Sequence, residues 1–349
     1  MTAQIPKVEV FLQEGTYSPG TGEAGRIAVV GAFKTTATNP VLFTSLAAAE
    51  AAWGNDTTFD GCACLPYLFE SGATSVLGVN VSTESSGTWT KTVDATNLAA
   101  ALAKIKGEDW DILFVAAPIT DAFIAIIDAY LEDCYEIKCP AGFIGALTGA
   151  SDAANITTAG LAGQHCYGLL TQQLSVNGVQ LSVLNSAAYY AGLIAGMSVG
   201  STMTMKTVPF VTGVSPELSF ETGGSGKALL EAGITTVKCA DRNNGRYIVV
   251  NSEQPNGLDL YINRVRDYVV KEMSLHQFLG ERNNEPTLNE IKHEVDRVKT
   301  ECVKTLQLLK DIVFNIEKVD SRCVRINITK LVFDGIITEI DVYVTVEVE

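Results

Sequence analysis

Short apolar runs alternate with helix-spaced apolar residues through the first 200 positions of the chain. Five runs predict buried strands, at 26–33, 74–82, 110–118, 141–148 and 166–170. Apolar spacings of three and four predict helices among them, at 45–53, 96–106 and 119–137. Strands joined through helices need crossover connections, so the pattern predicts an α/β unit with a mainly parallel or mixed sheet.

The pattern changes near residue 200. Residues 186–199 predict a helix rich in Ala and Gly, which permits close approach of another backbone. Beyond it we expect a short helix at 226–232, a hairpin with an Asn-Gly turn at 244–245 and a helix at 258–273. The longest helix is predicted from Pro286 to about Ile312, because apolar residues recur every three or four positions. This stripe comprises Leu288, Ile291, Val295, Val298, Cys302, Leu306 and Leu309.

Strict alternation of apolar and polar residues predicts a strand at each end of the sequence. The apolar positions are Val8, Val10 and Leu12 at the beginning, and Ile340, Val342, Val344, Val346 and Val348 at the end. An unpaired strand edge is an open template, so these strands must pair with something. Two interpretations stay open from the pattern alone. Both strands join the parent sheet, or they add to sheets of neighbouring copies by strand exchange.

Composition narrows the class of protein. The chain has 349 residues, 47% of them hydrophobic and 19% charged, which suffices for a sizeable core and about two domains. Its net charge of −15 argues against a nucleic-acid-binding surface, since phosphate recognition needs basic residues. No apolar stretch predicts a membrane-spanning helix, and the first residues lack the features of a signal peptide. We therefore expect folding in a cytoplasm and no membrane insertion.

Charge also divides the chain near residue 200. Residues 1–200 carry 7 Lys+Arg and 18 Asp+Glu, a net −11, whereas residues 201–349 carry 18 and 22, a net −4. The predicted organisation has four parts: an N-terminal arm and linker at 1–22, an α/β domain at 23–200, an α+β domain at 201–334 and a C-terminal β-arm at 335–349.

No motif predicts a catalytic residue, a metal centre or a cofactor site. The GGSGKA segment resembles a phosphate-binding loop only in part, because Glu221 and Ala228 stand where that loop needs Gly and Ser or Thr. His165 and Cys166 are sequence neighbours, but adjacent residues of a strand point to opposite faces, which argues against a catalytic dyad.

The remaining polar and sulfur-containing residues have ordinary structural interpretations. Eight cysteines in 349 residues are too dilute for a disulfide framework, so we expect reduced and mostly buried thiols. Asp109 and Asp111 are interpreted as part of a solvated face.

The order and spacing of segments along nearly the whole chain resemble the contractile tail sheath proteins of phages, R-type bacteriocins and related injection machines. No single motif is decisive. The segments are IPKVEVFLQEGTYSPGTGEAGRIAVVGAF (5–33), SAAYYAGLIAGM (186–197), ALLEAGITTVKC (228–239), RYIVVN (246–251), LDLYINRVRDYVVKEM (258–273), NNEPTLNEIK (283–292) and VDSRCVRINITKLVFDGIITEIDVYVTVEV (319–348).

This resemblance implies a non-enzymatic structural subunit with a two-domain mixed α/β and α+β sheath fold. Sheath subunits form six-fold rings stacked around an inner tube, and contraction drives the tube through a target envelope. By analogy, residues 23–200 form the outer domain, residues 201–334 form the inner, tube-facing domain, and both arms exchange strands with neighbours. The implied partners are further copies of the chain, an inner tail tube protein, and baseplate and tail terminator proteins. The particle, assembled in a host cytoplasm, would be a virion tail or a released extracellular particle.

The resemblance also suggests a role for the basic side of the helix predicted after Pro286. Lys292, Arg297, Lys299 and Lys304 are expected to face the tube through ion pairs, each worth about 0–1 kcal/mol. An ordinary solvated helix face explains the same charges equally well.

Two other classes of protein stay open from the residues alone. A small-molecule enzyme on the α/β domain would need a polar pocket at the carboxyl ends of its strands. Another self-assembling shell or surface-layer protein would be secreted, and the lack of a predicted signal peptide argues against it.

Overall fold

The structure is a computed structural model that describes residues 7–8, 25–136, 140–242, 244–273, 284–318, 324–333 and 339–340. Six residues of the predicted terminal strands lie outside these ranges, namely Val10, Leu12, Val342, Val344, Val346 and Val348.

The described residues contain nine α-helices, numbered in chain order: α1 Leu46–Trp53, α2 Asp60–Ser71, α3 Ala95–Ile105, α4 Asp121–Glu136, α5 Asp152–Ala159, α6 Val183–Gly196, α7 Ser225–Glu231, α8 Leu260–Glu272 and α9 Glu285–Thr300. Their strands are β1 Lys7–Val8, β2 Ile27–Gly31, β3 Val41–Phe43, β4 Val76–Asn80, β5 Thr83–Ser85, β6 Thr88–Thr90, β7 Ile112–Pro118, β8 Gly142–Ala146, β9 Cys166–Leu170, β10 Gln173–Val176, β11 Val179–Gln180, β12 Val211–Ser215, β13 Val237–Asp241, β14 Arg246–Val249, β15 Asp311–Lys318, β16 Val324–Val332 and β17 Glu339–Ile340.

The main sheet has six strands within the described ranges, in the order β3-β4-β2-β7-β8-β9. All neighbouring strands are parallel except the β3–β4 pair. Numbered by themselves, the five parallel strands run 2-1-3-4-5, which is a doubly wound α/β topology. The predicted mixed α/β class with a mainly parallel sheet is therefore confirmed.

Buried side chains form one cluster on each face of this sheet. Along β2, Ile27 and Val29 belong to the first cluster, with residues of α2 and α6, whereas Ala28 and Val30 belong to the second, with residues of α3 and α4. Because helices cover both faces, all five residues of β2 are buried. This double coverage explains why the strands appear in the sequence as unbroken apolar runs.

Helices α2 and α6 pack with almost no space between their backbones. A Cβ atom placed at Gly192 of α6 would lie 2.9 Å from the carbonyl carbon of Leu68 in α2, and closer still to the carbonyl oxygen. The expected close approach at the Ala- and Gly-rich helix is thus confirmed.

Residue 200 lies between segments that pack together. Strand β10 pairs antiparallel with β12, and Val211 and Val237 belong to the same buried cluster as α6. A third cluster joins α8, α9 and β15, and its first buried member is Tyr261. The domain boundaries stay predictions, and these contacts cross the one placed at residue 200.

The long helix predicted from Pro286 to Ile312 is wrong in its second half. Helix α9 ends at Thr300, a π-helical turn follows over Glu301–Thr305, and Gln307 has a left-handed φ of 52°. Ile312 lies in β15, opposite Leu331. The apolar spacing in the sequence continues past the end of α9 because Cys302 and Leu309 are also buried in the third cluster. Their backbone is nevertheless not α-helical.

Several elements have no counterpart in the predicted pattern. Helix α2 contains Pro66 and many small residues, which hide its period. The β5–β6 hairpin is almost fully exposed and turns through Ser86 and Gly87, whose φ values are 51° and 80°. The long helix predicted to about Ile312 overlaps only the start of β15, and the rest of the β15–β16 hairpin was not predicted.

Candidate assembly interface

The first and last described strands pair with each other. Strands β1 and β17 form a two-stranded parallel sheet in which Lys7 lies opposite Glu339 and Val8 opposite Ile340. Parallel pairing is slightly less stable per residue than antiparallel pairing, and this ladder has two residues on each side. Neither strand has a second strand partner in the described part of the chain, so both outer edges can pair with another chain.

The β15–β16 hairpin is a second surface with open edges, since its two strands pair only with each other among the strands that the structure describes. It pairs from Asp311 to Lys318 against Val324 to Val332, and its base packs on the third cluster through Phe314 and Ile328. Farther out, Ile316 and Ile326 face each other across the ladder and are only half-buried. A two-stranded hairpin is marginal by itself, so added strands would stabilise it.

The predicted basic side of α9 is interleaved with acidic residues. The helix carries four acidic and three basic side chains. Arg297 bonds Glu294 at 2.8 Å and Glu301 at 2.7 Å, three positions before and four positions after it. The hydrogen bond with Glu294, followed by both carboxylate charges, raises the pKa of Arg297. Arg297 is therefore already engaged within its own chain.

The other three predicted tube-facing residues differ in their surroundings. The Lys299 ammonium lies 2.7 Å from Asp311 Oδ1, and this hydrogen bond lowers the pKa of Asp311. Lys292 and Lys304 are exposed, and no carboxylate among the described residues lies within ion-pair distance of either. The four predicted residues thus do not form one unpaired basic face.

Helix α8 carries a buried polar side that the sequence pattern did not single out. The Tyr167 hydroxyl of β9 donates to Asp267 Oδ2 at 2.7 Å, and Arg266 Nε donates to Asp267 Oδ1 at 2.8 Å. Burial raises the pKa of Asp267, and the Arg266 charge offsets this only in part. The bond from Tyr167 thus joins α8 to β9 at the edge of the main sheet, and Arg266 supports the same carboxylate from within the helix.

Arg264 of the same helix is buried, and no carboxylate among the described residues lies within ion-pair distance of it. Its guanidinium donates to the backbone oxygens of Met197 and Ser198, both at 3.1 Å, just after α6 ends. Burial lowers the pKa of Arg264. A cation at the C-terminal end of a helix satisfies carbonyls that lack helical partners.

The interpretation of Asp109 and Asp111 as a solvated face is wrong for Asp111. Only 19% of its side chain is exposed, and Lys271 lies 2.7 Å from both carboxylates. The partner is 160 positions away from Asp111, so no local pattern could have revealed it.

The two residues considered above as a catalytic pair, His165 and Cys166, form hydrogen bonds with other side chains of the protein. His165 Nε2 lies 3.0 Å from Glu132 Oε2, whereas Cys166 Sγ lies 3.7 Å from Gln254 Oε1, so the neighbouring pair has separate partners. Six cysteines fall in the described ranges, and the predicted burial of their thiols is confirmed for five of them; Cys239 is half-buried.

The carboxyl ends of β2 and β4 are closed by hydrogen bonds. Asn80 Oδ1 accepts from the Phe33 N–H at 3.0 Å, and its amide donates to the Thr35 carbonyl at 2.6 Å. No group of three or more His, Cys, Asp or Glu suited to a metal ion occurs in the part of the chain that the structure describes. No described helix has the length and apolar character needed to cross a membrane.

Comparison with known proteins identifies the fold. The sequence matches no protein-family model and no curated protein. A sheath tail protein from Desulfitobacterium hafniense superposes with a TM-score of 0.65 at 12% identity, covering 93% of this chain and 98% of that one. A sheath tail protein from Listeria innocua gives a TM-score of 0.61 at 12% identity, with coverages of 85% and 90%.

A third similar structure is the helical sheath of the anti-feeding prophage in its contracted state. Its TM-score is 0.64 at 13% identity, and the match covers 99% of both chains. The chain therefore has the fold of contractile sheath proteins. The resemblance inferred from its sequence is confirmed at the level of the fold.

Proposed function

We propose that this chain is the structural subunit of a contractile tail sheath. The observation that carries the proposal is the match over 99% of both chains to the contracted helical sheath. Copies stack as hexameric rings around an inner tube protein, between a baseplate and a tail terminator. Residues 23–200 face outward and residues 201–334 face the tube. Assembly takes place in a host cytoplasm and yields a virion tail or a released extracellular particle.

Neighbouring copies are joined by their terminal strands. In a single chain β1 pairs with β17, through a ladder of two residues per strand. In the polymer the same main-chain groups pair with strands of other copies, and the open edges of β15–β16 are the acceptors. This is a domain-swapping arrangement, in which the contact made within one chain is replaced by the equivalent contact between chains.

Contact with the tube is electrostatic and weak. Of the four predicted residues, Lys292 and Lys304 are exposed, whereas Arg297 and Lys299 already have carboxylate partners. We assign the tube contact to the first two. Exposed ion pairs are worth about 0–1 kcal/mol each, so the sheath can release its tube during contraction.

The sheath acts as a spring that fires once. The extended lattice leaves surface unburied that the contracted lattice buries. At about 25 cal/mol per Å², an extra 400 Å² or so of apolar burial yields on the order of 10 kcal/mol per subunit before opposing terms. Contraction therefore needs no nucleotide.

Electron microscopy of the purified protein at high concentration tests the assembly. Hollow striated tubes with six-fold end views are expected, by itself or after addition of the tube protein. Uniform small particles under both conditions would contradict the proposal.

Two sets of variants test the terminal strands. Deletion of residues 339–349 should leave folded monomers that make no tubes, and normal tubes from this variant would refute the role of the arm. Chains carrying Lys7→Cys and chains carrying Glu339→Cys are mixed before assembly and then oxidised. Strand exchange predicts covalent dimers in tubes but not in unassembled protein, and each single variant oxidised without the other is the control.

A further inference from the structure

The backbone at Gly25, where the predicted N-terminal arm joins the folded body, is enclosed on two sides. Asp111 Oδ2 accepts hydrogen bonds from the N–H groups of Gly25 at 2.9 Å and Arg26 at 3.2 Å. The Asp111 N–H in turn donates to the Arg26 carbonyl at 2.9 Å. On the opposite side, a Cβ at Gly25 would lie 2.8 Å from the carbonyl carbon of Ala195 in α6. No side chain fits there.

The same carboxylates hold the end of α8. Lys271, in the last turn of that helix, places its ammonium 2.7 Å from Asp109 Oδ1 and 2.7 Å from Asp111 Oδ1. The Arg26 guanidinium bonds the other oxygen of Asp109. Two cations and two carboxylates thus join three parts of the sequence: the arm root, the start of β7 and the C-terminal end of α8.

Helix α8 is in turn tied to α9. The Arg297 guanidinium donates to the backbone oxygen of Glu272 at 3.0 Å, one residue after Lys271. The side chain of Lys271 is 30% exposed and that of Asp111 19%, so water screens this ion pair less than a fully exposed one.

We propose that Lys271, Asp109 and Asp111 clamp the root of the N-terminal arm to α8. A pull on the arm then acts on the α8–α9 unit rather than detaching β2 from the centre of the main sheet. Without the clamp, that pull would act on the backbone hydrogen bonds of Gly25 and Arg26 and on the first residues of β2. The mechanical part of this proposal rests on the proposed sheath function, whereas the clamp itself does not.

Trypsin cleavage after Arg26 in unassembled protein tests the clamp. The protease needs this segment to open, and cleavage follows the open population when closing is fast. Lys271→Met should raise the rate of trypsin cleavage at the Arg26–Ile27 bond about tenfold over wild-type protein. The released fragment is measured by mass spectrometry. Lys271→Arg keeps the charge and should restore most of the protection. Cleavage of Lys271→Met at the wild-type rate would overturn the clamp.

Lys227→Met is the matched control. It removes the ion pair of Lys227 with Glu231 at 3.9 Å in α7, which lies outside every segment of the clamp, and should leave the cleavage at Arg26 unchanged. Equal acceleration in this variant would show general destabilisation and would overturn the assignment to Lys271.

Sheath tubes test the mechanical part separately. Tubes of Lys271→Met should dissociate at a lower guanidinium concentration than wild-type or Lys227→Met tubes. Equal resistance would overturn force transmission through α8. If wild-type protein forms no tubes under any condition, the sheath proposal fails, and the protease result still decides the clamp.

Discussion

Replacing Gly192 by Ala tests the contact between α2 and α6. The new Cβ would lie 2.9 Å from the Leu68 carbonyl carbon, and both the Leu68 oxygen and Ser71 Oγ would be closer still. The Ser71 hydroxyl is bonded to the Tyr67 carbonyl at 2.6 Å, and the Leu68 carbonyl belongs to the α2 backbone. The Ser71 hydroxyl could turn away only by giving up this hydrogen bond, and the Leu68 oxygen, a backbone atom, cannot rotate away, so the two helices must separate.

The expected size of the effect combines two opposing terms. In a helix interior, Ala is favoured over Gly by about 0.8–1 kcal/mol. Overpacking costs about 1–3 kcal/mol, and backbone neighbours place this site at the upper end. The net loss should be about 2 kcal/mol. With an unfolding entropy of about 2.1 cal/mol/K per residue over the whole chain, the Tm should fall by about 3 °C.

Thermal unfolding followed by circular dichroism measures this change. Gly160→Ala is the matched control, because its φ of −63° suits Ala and the nearest atoms to a new Cβ lie at 3.4 Å. That variant should leave the Tm unchanged or raise it by about 1 °C, since Ala restricts the unfolded chain more than Gly. A Tm for Gly192→Ala at or above the wild-type value would refute the inferred helix contact.

Three further predictions concern single polar groups. Arg264→Met removes the Arg264 donors of two carbonyls at the end of α6, of which only the Ser198 carbonyl keeps another described donor, the Ser201 N–H. The substitution should lower the free energy of unfolding by about 2 kcal/mol, seen as a lower urea midpoint; an unchanged midpoint would contradict it. Tyr167→Phe removes a buried donor to Asp267 and should lower the free energy of unfolding by about 1.5–3 kcal/mol in the same assay. A Tyr167→Phe variant as stable as the wild-type protein would show that this bond contributes nothing. Asp56 should titrate at about 2 by NMR, because the Thr58 hydroxyl and N–H bond its carboxylate. Its contribution to stability is present above the ordinary pKa of 3.8 and is lost as the pH falls towards 2; Thr58→Ala should raise the pKa, and an ordinary value in wild-type protein would contradict the geometry.

The α/β unit was predictable because its strands are buried on both faces. Strand β9 has the bounds 166–170 that the apolar run predicted, and β2 falls inside the run at 26–33. The helix predicted through Ile312 failed for the opposite reason. Burial alone sets the spacing of Cys302 and Leu309, and a π-helical turn keeps them in the core without continuing the α-helix.

The candidate interface was predictable only where its contacts are local. The pairing of Arg297 with Glu294 and Glu301 follows from spacings of three and four, and attention to the acidic neighbours would have found it. By contrast, Lys271 and Asp109 are 162 positions apart. Their contact depends on the crossover order of the main sheet, which no local pattern encodes.

The exposed β5–β6 hairpin offers a position for engineered display. Its two-residue turn at Ser86 and Gly87 has positive φ at both residues, and a Cβ at Gly87 would meet no atom within 4 Å. Exposed loop tips of this kind tolerate inserted peptides. In a helical polymer every subunit would present the insert, so an epitope placed between these residues would appear as a regular array. A bivalent antibody could then bridge neighbouring copies and bind more tightly than to a single chain.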